Sequence, residues 1–154
     1  MEDPKAQIEK YLSENDVRYR GIEHAPAASA EEYNTTLKTR FTQQVKVLLL
    51  RYKREGIEGY AVVAIQGHKK VDVDQIGGIL GFKKIRLADK DQLLSVTGCK
   101  FGELHPFAKL FNLQLLFDKD FFSEEEVYIN AGRLDYSIVI SPREIERLEK
   151  PVLF

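Results

Sequence analysis

Residues 43–67 read QQVKVLLLRYKREGIEGYAVVAIQG. Two runs rich in Val, Leu, Ile and Tyr flank REGIEG, a polar stretch with two glycines. Such runs favour extended chain, and the polar interruption favours reversal, so the segment predicts a β-hairpin. VKVLLL is apolar at every position but Lys46, as in a strand covered on both faces. Upstream, PKAQIEKYLSEND (4–16) places Ile8, Tyr11 and Leu12 at helical spacing, with Pro4 suited to a first turn and Asp3 to a cap. VRYRGIEH (17–24) alternates like a strand. ASAEEYNTTL (28–37) offers Ser29 as N-cap with Glu32 three residues on, the capping-box spacing. Downstream, VDVDQIGGILGF (71–82) predicts a short helix with Gly81 near its end, KKIRLA a strand, and DKDQLLSV a helix with acidic residues in its first turn. NLQLLFDKD, EEVYINAGR and YSIVISP follow as strands, and PREIERLEK closes as a helix capped by Ser141 with Pro142 in its first position. Strands outnumber strand-helix-strand crossovers. The expected fold class is therefore α+β (mixed α/β): a mixed, largely antiparallel sheet with helices packed outside.

Bulk properties narrow the function. The 154 residues suit one domain, 1–154, and a hydrophobic content of 44% supports a buried core. Lys and Arg total 23 against 24 Asp and Glu, a net charge of -1, which argues against a surface given over wholly to nucleic acid. A local basic rim remains open: Lys38 and Arg40; Arg51, Lys53 and Arg54; Lys69 and Lys70; Lys83, Lys84 and Arg86 are each solvated turns or, together, a phosphate-facing patch. Cys99 stands alone, so no internal disulfide forms. No run is long enough to span a membrane, and MEDPKAQIEK does not read as a signal peptide, so the expected location is cytoplasmic.

Lys46 is the first candidate residue. Burying a charge in a central strand is costly without a partner, so its amine either reaches solvent or points into a polar pocket to hold an anion or a hydroxyl-rich ligand. The second is GELHP (102–106). Glycine permits close backbone approach and proline stiffens the exit, so the stretch is either a plain connection or a rigid cradle of amides. His24, His68 and His105 show no metal-ligand spacing, and no metal or cofactor is expected. The chain lacks GxSxG, GxxxxGK[ST] and GxGxxG, which removes support for serine-hydrolase, P-loop and dinucleotide-binding functions. Cys99 is either a small buried thiol or a nucleophile. SEEEV (123–127) begins a strand or caps a turn.

The ordered set of EHAP and SAEEY, VKVLLL, VDVDQI, KKIRLADKDQLLSVTG, GELHPF and INAGRLDYSIVISPREIERL resembles the YbaK family. These are aminoacyl-tRNA deacylase domains also found inserted in, or associated with, prolyl-tRNA synthetases. The resemblance covers nearly the whole chain. It implies a partly barrel-like mixed sheet around a pocket, and hydrolysis of the ester joining a wrong amino acid to tRNA. Carried over by position, it implies catalytic roles for Lys46, Gly102 and Pro106. It implies substrate contacts for His24, Glu103, Leu104, His105, Asn130, Ala131 and Gly132. Lys46 would hold the substrate's terminal ribose or phosphate, or its reacting end, amides of GELHP would face the ester carbonyl, and water would attack, or the substrate's own thiol in cysteinyl-tRNA. The implied partners are the acceptor end of aminoacyl-tRNA, most readily alanyl- or cysteinyl-tRNA(Pro), and a prolyl-tRNA synthetase. Two positions depart from the pattern: Val47 stands where a small polar residue is frequent, and His105 where a small residue is usual. An aminoacyl-adenosine-binding module without catalysis is the alternative that these departures motivate.

Overall fold

The hairpin closes through only two residues. In the computed structural model, which describes residues 3–154, Glu55 and Gly56 have φ of 51° and 79°. That pair of left-handed residues is the geometry whose twist suits a tight hairpin. The strands therefore run further into REGIEG than the composition indicates: β2 (Val45–Arg54) pairs antiparallel with β3 (Ile57–Gln66) along its whole length.

Around it stand α1 (Pro4–Glu14), β1 (Tyr19–Glu23), α2 (Ala30–Leu37), α3 (Val73–Leu80), β4 (Ile85–Leu87), α4 (Lys90–Thr97), β5 (Gln114–Phe117), β6 (Val127–Asn130), β7 (Tyr136–Ile140), α5 (Pro142–Glu149) and β8 (Val152–Leu153). The predicted order is present, with β8 as an addition. The caps follow the sequence: Ser29 and Glu32 form both bonds of a capping box, and Ser141 accepts from the Arg143 amide. Asp3 occupies the cap position of α1 with Pro4 at its start, but its side chain makes no capping bond.

The sheet is mixed and largely antiparallel, and it is divided in two. One sheet has the order β1-β7-β6, wholly antiparallel. The other has the order β4-β2-β3-β5-β8, in which β3-β5 and β5-β8 are parallel. Among the described residues one bridge, from Gln44 just before β2 to Tyr128 of β6, joins the two sheets and turns them toward a partial barrel.

Side-chain alternation along β2 sorts the interior. Val45 and Leu49 face the main core with Val62, Ala64, Phe117, Ile129 and Ile138, while Leu50 faces a smaller cluster with Val63, Ile65 and Ile76 under α3. Burying each such side chain contributes roughly 1.5–3 kcal/mol. Lys46 shares the parity of Leu48 and Leu50, so its stem begins on the α3 face.

The outer edge of β2 is only partly covered. β4 runs beside Leu50–Tyr52, and the Ala88 amide extends the ladder by donating to Leu49 O at 2.9 Å. β6 runs parallel beside the start of β2, bridging at Gln44 to Tyr128, and from Lys46 to Leu48 no strand is paired with this edge among the described residues.

Candidate functional site

A cavity of about 280 Å³ opens along that uncovered edge. Its walls include Val45–Leu49 of β2, Ser29, Ala30 and Tyr33 at the start of α2, Leu87, Ala88 and Leu93, the loop residues Phe101, Gly102 and Leu104, and Tyr128 and Asn130 of β6. Four residues given site roles by the resemblance therefore meet here, Lys46, Gly102, Leu104 and Asn130, together with the departing position Val47.

Lys46 is half-buried, and its ammonium donates to the Lys69 carbonyl. No carboxylate pairs with it among the described residues. Burial holds its pKa below the usual lysine value, with Lys70 adding to the depression and Glu31 opposing it. The carbonyl is itself anchored. The Lys69 ammonium reaches Asp118 at 2.8 Å and Asp120 at 2.6 Å, and Asp118 is nearly buried.

The 102–106 loop is clamped from β6. Asn130 Nδ2 donates to Gly102 O and to Ala27 O, each at 2.9 Å, and the Gly132 amide donates to Glu103 O at 3.1 Å. With Asn130 Nδ2 between two carbonyls, Oδ1 accepts from the Ser137 hydroxyl at 3.1 Å. Tyr33 OH donates to Ser137 Oγ at 2.5 Å, and His24 Nε2 lies 2.7 Å from the same oxygen while Nδ1 donates to Ala25 O at 2.8 Å. Burial is the first cause raising the Tyr33 pKa, so the phenol keeps its proton as this network requires. Alanine at 130 leaves two carbonyls and a buried hydroxyl without their partner. Asn130→Ala is expected to cost about 1–3 kcal/mol of stability, and to lower kcat more than it raises KM. Kinetics with a thermal melt check this, and an unchanged kcat would remove Asn130 from the loop's support.

The other expected residues lie behind the cavity. His24 is edge-on to Tyr33, with ring centroids 5.8 Å apart, and touches the site through Ser137. Glu103 closes a turn, its amide donating to Lys100 O and its carboxylate accepting from the Lys100 amide. Pro106 and Ala131 are buried away from the lining. Gly132, at φ 78°, makes room for Pro4 of α1, whose Cβ leaves no space for a β-carbon at 132.

His105 is the clearest departure from expectation. It is fully buried, tilted against Phe107 and Phe111, with Nδ1 accepting from the Phe107 amide and Nε2 unpartnered. Burial pushes its pKa down to about 3. It is a neutral packing residue and does not line the cavity, away from the substrate contact that the resemblance implies. Cys99 is also buried, and burial pushes its thiol up to about 11. A thiol so protonated is a poor nucleophile. Cys99→Ala is expected to retain wild-type turnover, and a collapse of kcat would restore the thiol reading.

Tyr33, Gln44, Tyr128 and Ser137 were not singled out by the sequence. Ser137 carried a signal, since it is polar within YSIVI as Lys46 is within VKVLLL. The basic clusters are partly neutralised, with Arg40 on Glu124, Arg51 on Glu58 and Lys69 on Asp118 and Asp120. No group of three or more His, Cys, Asp and Glu comes together among the described residues. No described helix is long and apolar enough to cross a membrane.

What this arrangement offers is an uncompensated ammonium and clamped backbone amides around a small, largely apolar cavity. The Glu103 amide is engaged in its turn, whereas those of Gly102 and Leu104 make no hydrogen bond among the described residues. These are parts for holding a polar acyl group and stabilising negative charge on it. Known proteins share the frame. The chain is 26% identical over 143 residues to the multifunctional Ser/Thr-tRNA deacylase ProXp-y of Escherichia coli K12, covering 92% of this chain and 86% of that one. It is 26% identical over 152 residues to the prolyl-tRNA editing protein ProX of Acetoanaerobium sticklandii, covering 96% and 92%. A solved structure of a candidate trans-editing enzyme for prolyl-tRNA synthetase superposes with a TM-score of 0.79 at 18% identity, covering 100% and 96%, which shows the shared fold. The sequence pattern of the aminoacyl-tRNA editing domain matches residues 24–148, and the chain belongs to that family.

Proposed function

We propose that the protein is a trans-acting aminoacyl-tRNA deacylase that hydrolyses the ester of mischarged tRNA, with alanyl- or cysteinyl-tRNA(Pro) as its substrate. The observation that carries this reading is Lys46, an ammonium with no carboxylate partner that lines a cavity shared with Gly102, Leu104 and Asn130. At about 280 Å³ the cavity is near the lower end of the ~300–1,000 Å³ typical of small-molecule sites. That suits the reacting end of the tRNA rather than a larger ligand.

The chemistry follows from the groups present. Lys46 holds the terminal ribose or phosphate by charge-assisted hydrogen bonds. The amides of Gly102 and Leu104 face the ester carbonyl. Water attacks the acyl carbon, the bond from that carbon to the ribose oxygen breaks, and the ribose oxygen leaves with a proton from the water. Free amino acid and uncharged tRNA result. In cysteinyl-tRNA the substrate's thiol takes the place of water: its sulfur bonds to the acyl carbon, its proton goes to the departing ribose oxygen, and water then opens the resulting cyclic thioester to free cysteine. The walls offered by Val47, Ala88 and Leu104 suit a small apolar side chain. The E. coli relative supports a second reading, seryl- or threonyl-tRNA, for which Ser29, Gln44 and Tyr128 supply polar groups in the lining. A prolyl-tRNA synthetase that presents the tRNA is the proposed partner; the ProX relative is named for prolyl-tRNA editing.

The test is deacylation of alanyl-, cysteinyl-, seryl-, threonyl- and prolyl-tRNA(Pro), with and without a prolyl-tRNA synthetase. Rapid clearance of the alanyl or cysteinyl species is expected, with prolyl-tRNA(Pro) spared. Clearance of the hydroxylated pair alone transfers the assignment to the second reading. No clearance of any species, beside an active reference deacylase, overturns the hydrolytic function.

A further inference from the structure

The cavity wall contains a gap in strand pairing. In an antiparallel ladder the N–H and C=O of one residue point to the same side, and successive residues alternate. β2 pairs with β3 so that Lys46 lies opposite Ile65 and Leu48 opposite Val63. Leu49 O accepts from the Ala88 amide on the opposite side, toward β4. The odd-numbered residues of β2 therefore aim their main-chain groups away from β3. Val47 is one of them. β4 stops at Leu87, and the parallel bridge to β6 is centred on Gln44, so it engages main-chain groups of the flanking residues and stops short of Val47. The N–H and C=O of Val47 are thus left without a strand partner among the described residues, at a half-buried position on the cavity wall. Main-chain groups removed from water need partners, and an open edge is a template for another extended segment.

We infer that this edge is where the aminoacyl group docks, as a strand one residue long. The inference rests on the deacylase reading of the cavity. An aminoacyl ester carries its ammonium on the carbon next to the acyl carbonyl, so donor and acceptor flank one carbon as they do in a peptide residue. In a hydrogen-bonded antiparallel pair, two such residues exchange both bonds. Val47 C=O accepts from the α-ammonium, and Val47 N–H donates to the acyl oxygen.

Two consequences follow. Directly opposed residues place their side chains on the same face, roughly 4.5–5.5 Å apart. The substrate side chain therefore lies beside that of Val47, on the face opposite Lys46, and Val47 contributes to amino-acid choice. The edge also selects for a free α-amine. An acyl group without that amine, or with it blocked as in a peptidyl ester, loses the ammonium contact.

Proline separates the main-chain role from the side-chain role. A strand tolerates proline where its N–H faces away from the ladder. Val47→Pro removes the edge donor and no β2-β3 bond, whereas Val47→Ala keeps both main-chain groups. Binding of 3′-alanylamino-3′-deoxyadenosine, which is not hydrolysed as an ester, is measured against its propionylamino counterpart by calorimetry, alongside thermal melts. Wild type is expected to favour the alanyl probe about tenfold or more, the scale of one charge-assisted hydrogen bond. Val47→Ala keeps that preference. Val47→Pro melts within a few degrees of wild type and binds the alanyl probe about tenfold more weakly.

Equal wild-type affinity for the two probes overturns the inference, as does wild-type binding by Val47→Pro. Unfolding of Val47→Pro overturns it too, because the N–H would then belong to a ladder. Deacylation by Val47→Pro at the wild-type rate removes the edge and leaves the editing reading intact. Selective binding of the alanyl probe by a wild type that clears no tRNA keeps the edge and removes hydrolysis.

Discussion

Alanine in place of Lys46 is expected to lower deacylation by about 10²–10³-fold, the scale seen when one preorganised electrostatic group is removed from a site. The fold should survive. The ammonium is half-buried, its one hydrogen bond is to the Lys69 carbonyl, and no carboxylate offsets it among the described residues. A charge in that position costs desolvation without a compensating pair. Lys46→Met, which keeps the apolar stem, should melt at or above the wild-type temperature while turnover is lost. Lys46→Arg keeps the charge in a larger, planar group and should recover only part of the activity. Activity within tenfold of wild type in Lys46→Ala, or its unfolding, would reassign the residue to scaffolding.

The pH dependence carries a definite sign. The folded-state pKa of Lys46 lies below its ordinary value of 10.5 because burial disfavours the charged form. Between those two values the unfolded chain binds more protons than the folded one, so Lys46 makes stability rise with pH in that window. Below it, the desolvation cost is present in full. The stability advantage of Lys46→Met should therefore be largest at neutral pH and shrink as pH climbs through the alkaline range. Enzymatic turnover, corrected for spontaneous ester hydrolysis, should fall as the ammonium is lost, at a pH below the usual lysine range.

Lys46 was legible because one charge in VKVLLL contradicts its neighbours, and the same contrast was present at Ser137. The hairpin was legible from its two apolar runs, and two helix starts from Ser29 and Ser141, whose side chains cap them. What stayed hidden depends on contacts distant in sequence. β8 is two residues long and forms only because β5 offers a parallel edge at Leu116 and Phe117. The division into two sheets turns on where β6 meets Gln44. His105 reads as a polar loop residue until Phe107 and Phe111 are seen to enclose it. The role of Asn130 is likewise tertiary, because its partners are Ala27, Gly102 and Ser137.

Gly102 is where that tertiary clamp meets a local backbone requirement, and Gly102→Ala is expected to lose about 10²-fold in turnover, as a displacement of roughly 1 Å in a positioned group can. Its φ of 86° is one that side chains rarely adopt, and a methyl group there would lie 2.9 Å from Leu134 Cδ2 and 3.2 Å from the Ala28 α-carbon. Leu134 can swing aside. Ala28 is main chain at the entry to α2 and must shift with its neighbours. The carbonyl of Gly102 is meanwhile held by Asn130, which also holds Ala27 O. The loop cannot relax without breaking a bond that ties it to the opposite wall. Strain of this kind costs about 1–3 kcal/mol. The melting temperature should fall only modestly beside the loss of turnover, because the loop is a small part of the core. If amide placement is what Gly102 secures, the damage appears in kcat rather than in affinity for the alanylamino probe, whose amine docks at β2. Loss of probe affinity with kcat preserved would instead make Gly102 a binding residue and place the charge-stabilising amides elsewhere on the wall.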